Sequence, residues 1–169
     1  MLFRSARIVN ELTKLENKSL GTSVVPTTMT SGTTTNTVPA LATLDIDSRS
    51  FSLDEMQRID SAIRSITPIH PDARIEIAGG INRPPLETSA TLPLYQLAEK
   101  LAKDAGISSL GSASVGGASD GNFAGIHTKV LDGLGAVGGG AHAAHEHILA
   151  SHLAPRSELL HELIKEILA

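Results

Sequence analysis

Residues 40–77 read ALATLDIDSRSFSLDEMQRIDSAIRSITPIHPDARIEI, and this stretch decides the fold because its hydrophobic period changes twice. From Ala40 to Asp47 the apolar residues Ala40, Ala42, Leu44 and Ile46 alternate with Leu41, Thr43, Asp45 and Asp47, the period-two pattern of a strand with one buried face. Ser52 with Glu55 three residues on has the form of a capping box. Beyond it Leu53, Met56, Ile59, Ile63 and Ile66 recur at helical spacing up to Pro68. Arg74-Ile75-Glu76-Ile77 alternates again and stops at Gly79-Gly80. Strand, helix, strand is the expected order.

Working outward toward the N-terminus, Thr22 to Thr30 is rich in Thr and Val and reads as a further strand, closed by a polar turn at Ser31-Gly32-Thr33. Residues 2–16 space Phe3, Ile8, Leu12 and Leu15 among Arg7, Glu11 and Lys14, as in an amphipathic helix. The resulting order, helix, strand, strand, helix, strand, is most of a split β-α-β module with helices on one face of the sheet and its first strand lacking.

On the C-terminal side, Asn82-Arg83-Pro84-Pro85 marks a boundary, because consecutive prolines force an extended path. Leu92, Tyr95, Ala98, Leu101 and Ala102 then mark a helix ending at Gly106. From Gly106 to Gly140 stand 11 of the 15 glycines. Such density fits loops that approach a ligand closely, and equally a set of tight turns between short buried strands. Pro155 opens a last helix with a stripe of Leu159, Leu160, Leu163, Ile164 and Ile167.

Composition narrows the chemistry. The 169 residues are enough for one ordinary domain or two small ones. A formal charge of -4 with mixed signs leaves no basic footprint for nucleic acid and no polybasic stretch for a membrane, so a small molecule or protein is the expected partner. Four rings, Phe3, Phe51, Tyr95 and Phe123, are too few for a base-stacking platform. Without cysteine, a metal site would use His, Asp and Glu. No secretory h-region or membrane-spanning run can be drawn, so a cytoplasmic protein is expected.

His142, His145, Glu146 and His147 are the densest group of donors. In a helix His142, His145 and Glu146 would share a face. The zincin order nevertheless fails, because Leu149 stands where its second histidine would be.

Three segments in order, Gly116-Gly117-Ala118-Ser119-Asp120-Gly121-Asn122-Phe123, Leu131-Asp132-Gly133-Leu134-Gly135 and Gly138-Gly139-Gly140-Ala141-His142, resemble the closing signature of the two-zinc metallopeptidase and aminoacylase family, of the glutamate carboxypeptidase, acetylornithine deacetylase and succinyl-diaminopimelate desuccinylase kind. Upstream, Ser31-Gly32, Asn36-Thr37-Val38-Pro39 and Leu44-Asp45-Ile46-Asp47-Ser48-Arg49 resemble the middle of that family's lid or dimerisation domain. The resemblance is to the C-terminal half only.

It implies an α/β chain. Residues 1–81 would be a truncated lid domain with an incomplete ferredoxin-like sheet, and 82–169 the C-terminal part of the catalytic domain. His142 would be the family's last metal ligand, serving one of two zinc ions, with cobalt or manganese as substitutes. Asn36 and Arg49 would contact the substrate's carboxylate or oxyanion, and Ser119 with the amides around Gly117 and Ala118 would bind the carboxylate, although Ser119 also reads as a helix cap. Asp120 reads as a first-turn acid. Arg83 would touch substrate or brace the hinge. The implied activity is zinc-dependent hydrolysis of an amide next to a free carboxylate, in a peptide or N-acyl amino acid, by a homodimer joined through the lid. In that family the other metal ligands and the general-base glutamate precede the lid and have no counterpart here, so the chain alone is expected to be inactive. The competing expectations are a non-catalytic dimerisation module and a His-rich metal-binding protein.

Overall fold

In the computed structural model, residues 2–105, 107 and 109–169 are described, with side chains from Ser5 onward. Gly106, the expected stop of the third helix, lies outside the described residues, as does the side chain of Phe3. The chain divides into two compact units between Pro85 and Leu86.

The N-terminal unit runs α1 (Leu2–Thr13), β1 (Ser23–Ser31), β2 (Ala42–Arg49) and α2 (Leu53–Arg64). The strands pair antiparallel from Ser23 opposite Arg49 to Ser31 opposite Ala42. Along β2 the alternation holds residue by residue, with Leu44, Ile46 and Ser48 half-buried and Thr43, Asp45, Asp47 and Arg49 exposed. Leu12 of α1, Val24 of β1 and Ile59 of α2 are fully buried together, backed by Ile8, Leu15, Leu44, Ile46 and Ile63. Both helices therefore cover one sheet face, as expected of an α/β unit. A register shift between Pro26 and Thr28 breaks the ladder. Proline has no N–H to donate, and such residues are confined to bulges and sheet edges.

Two local expectations fail here. Arg74–Ile77 joins no ladder, and residues 73–82 carry no regular structure. Alternation specifies which side chains face inward, whereas a strand also needs a neighbouring backbone edge to satisfy its N–H and C=O groups. In a split β-α-β sheet the last strand lies beside the first, and among the described residues no strand precedes α1. The capping box is also absent: Ser52 occupies the N-cap with no side-chain cap bond. Glu55 is drawn away instead. It receives Arg58 Nε at 2.8 Å on Oε1 and the buried Thr22 hydroxyl at 3.0 Å on Oε2. A second Arg58 nitrogen donates to the Leu15 carbonyl at 2.8 Å. One acid thus ties α2 to the start of β1, and its arginine partner ties it to the end of α1.

The C-terminal unit contains α3 (Thr88–Asp104), the single turn α4 (Gly121–Ala124), the two-residue strands β3 (Gly138–Gly139) and β4 (His147–Ile148), and α5 (Leu153–Leu168). Its core is Ala98 and Ala102 of α3 against Leu159 and Leu163 of α5, with Leu110. Small residues on one helix and leucines on the other allow close approach. α3 begins before the expected stripe and carries Pro93 inside it. The N–H that proline lacks would have gone to the Ser89 carbonyl one turn back. Lys129 Nζ reaches that oxygen at 3.4 Å, and the adjacent Ala90 carbonyl takes the Val130 N–H at 3.1 Å. α5 starts at Leu153, so Pro155 falls within its first turn, where helix amides lack intrahelical partners. Of the expected α5 stripe, Leu159 and Leu163 are buried, while Leu160, Ile164 and Ile167 stay exposed.

Candidate functional site

The three glycine-rich segments of the C-terminal unit form turns held by named side chains. In the first, Ser119 precedes α4. Its hydroxyl donates to Asp132 Oδ2 at 2.6 Å and accepts the Gly121 N–H at 3.1 Å, while the Ser119 N–H donates to Asn122 Oδ1 at 2.8 Å. The Ser119 hydroxyl thus holds the first amide of α4 from one residue before the N-cap, which is Asp120 and makes no side-chain cap bond. The hydroxyl proton is committed to Asp132. The exposed amides of Gly117 and Ala118 donate to no backbone carbonyl among the described residues. Among the described residues a Cβ placed on Gly117 would meet open space, so packing does not demand glycine there.

The second segment is joined to the first by that same aspartate, whose other oxygen, Oδ1, accepts the Gly133 N–H at 2.8 Å. Gly133 has φ +82°, a conformation suited to glycine. Leu131 and Leu134 on either side pack against the α3–α5 core. Asp132 was not singled out from sequence. Its partner lies 13 residues away, so neither helical nor strand period could report the pair.

The third segment is a minimal hairpin, with Gly138 opposite Ile148 and Gly139 opposite His147. A Cβ on Gly138 would run into the His147 carbonyl, so the backbones approach as only glycine permits. Between the strands the chain turns twice, Ala143 N–H to the Gly140 carbonyl at 2.8 Å and Glu146 N–H to the Ala143 carbonyl at 3.0 Å. His142 lies in this loop with φ +65°, the one non-glycine residue with positive φ among the described residues. Its side chain is exposed. Because the loop is made of turns, the shared helical face considered for His142, His145 and Glu146 does not form. His147 Nδ1 instead meets the His145 carbonyl at 3.0 Å.

In the N-terminal unit, Asn36 sits exposed in the connection leaving the Ser31–Ala42 end of the ladder, and Arg49 stands at the opposite, Ser23–Arg49 end. An eight-residue ladder measures roughly 25 Å. Arg49 Nε binds Asp47 Oδ2 of its own strand at 2.9 Å. Arg83, half-buried, precedes the double proline. A groove of about 380 Å³ between α1 and α2 is lined by Ile8, Leu15, Ile66 and Ile69 with Arg7 and Glu11, and contains none of the expected site residues.

A metal site needs several converging donors. Among the described residues no group of three or more His, Asp or Glu side chains is placed to hold an ion. His142 therefore offers one donor, and the residues present do not complete a zinc centre. Nor, among the described residues, is any helix long and apolar enough to cross a membrane.

The family model for peptidase family M20/M25/M40 matches residues 5–166, reaching across both units. The chain belongs to this family, a group of generally metal-dependent peptidases and hydrolases. No curated protein matches it.

Proposed function

We propose that this chain is the C-terminal part of a metal-dependent hydrolase that cleaves an amide bond next to a free carboxylate, and that it does not catalyse this reaction by itself. The family match across residues 5–166 carries the reading. Support comes from His142, held in a strained backbone conformation within the loop that follows three glycines, because such strain persists where a side chain must point in a set direction. In this reading His142 is one ligand of a zinc centre whose other ligands lie outside these residues. The exposed amides of Gly117 and Ala118 bind the substrate carboxylate beside Ser119. Asn36, Arg49 and Arg83 supply further polar contacts, and pairing through the β1–β2 sheet makes a homodimer.

The test is hydrolysis of N-acyl amino acids and dipeptides by the purified chain with added zinc. No turnover is expected. Metal-dependent turnover that His142→Ala abolishes would show a complete centre and overturn the proposal. The reading as a free-standing His-rich metal binder has less support, because the loop histidines do not converge. The reading as a dimerisation module draws on the open edges of the two-stranded sheet. It requires a dimer in sedimentation.

A further inference from the structure

We infer that Arg156 is a positioning residue for the Ser119 loop. It is half-buried on α5, three residues before the buried Leu159, so the packing that seats Leu159 and Leu163 against α3 also fixes where Arg156 emerges. From there one guanidinium nitrogen donates to the Gly133 carbonyl at 3.0 Å and Nε to the Gly135 carbonyl at 3.3 Å. Among the described residues no carboxylate forms an ion pair with it. Its planar fork is spent on the backbone of one turn.

That turn carries Asp132, which takes the Ser119 hydroxyl, and Ser119 in turn takes the Gly121 N–H. The helix core is thereby connected to the Ser119 loop through four named groups: Arg156, the Gly133 carbonyl, Asp132 and Ser119. The competing account is apolar: Leu131 and Leu134 alone hold the turn against the core. The inference deepens the proposed carboxylate-binding role of this loop and rests on it for its purpose, although the positioning itself is measured independently.

The experiment is amide hydrogen exchange by NMR on the full chain. In Arg156→Ala the Gly121 amide should exchange about tenfold faster or more, as expected when a charge-assisted tether is lost, while methyl resonances of Leu159 and Leu163 stay in place. Unchanged Gly121 exchange would overturn the inference in favour of the leucine anchors. Should the alanine variant not fold, Arg156→Lys decides. It keeps the charge but cannot span both carbonyls as the fork does, so a smaller acceleration is expected and none would overturn the inference. Titration of the unsubstituted chain with N-acetylglycine, followed at the Gly117, Ala118 and Gly121 amides, separately tests the carboxylate reading. Amides that do not shift would sink that reading and leave the exchange result to decide the positioning.

Discussion

At φ +65° His142 sits where an L residue meets its own Cβ crowding, at a cost of about 1 kcal/mol. Glycine removes that crowding and alanine does not. His142→Gly should therefore raise the thermal midpoint of the chain, by the equivalent of up to about 1 kcal/mol, whereas His142→Ala should not. Parallel thermal unfolding by circular dichroism checks this, and equal midpoints would remove strain as support for a functional histidine. The sequence singled out this position through the preceding glycines and the family resemblance. Its backbone state was not, because it follows from two successive turns and a hairpin whose strands are two residues long. Asp132 was illegible for another reason. A carboxylate in a glycine-rich loop reads as solvated until the chain brings Ser119 to it.

At the scale of elements, β2 and α2 were read almost to their ends because both are amphipathic, and amphipathicity is a local property of sequence. The capping box at Ser52 and the strand at Arg74–Ile77 failed for one shared reason: each depends on a partner distant in sequence. Glu55 prefers Arg58 and Thr22 to the cap. Arg58 beside it holds the Glu55 carboxyl below its ordinary value of 4.5, with the Thr22 hydroxyl adding to the effect against partial burial. A lowered folded pKa gives stability that is present above the unfolded value and lost as pH falls through the folded one. The urea midpoint should thus fall as pH drops below 4.5, and Glu55→Gln should weaken that dependence. An identical acid response in the variant would mean the network contributes nothing to it. In α3, Pro93 removes one helical hydrogen bond that Lys129 replaces only at 3.4 Å. Pro93→Ala should stabilise the chain by about 1 kcal/mol, less than the roughly 3 kcal/mol of an uncompensated proline, as read from urea unfolding. A destabilised variant would show that the proline itself is needed at this position.

At the scale of the whole molecule, the chain forms two units with separate cores, and the family match runs through both. Neither core explains why glycine stands at position 117 or why His142 accepts strain. Both follow if the loops serve a ligand centre to which this chain contributes only part. In the proposed reading His142 is the single metal donor that these residues contribute. Calorimetric titration of the chain with zinc should then show weak, non-stoichiometric uptake, because one imidazole cannot replace the hydration of the ion. Tight one-to-one binding that is lost in His142→Ala would contradict it, since a complete centre would then reside in this chain.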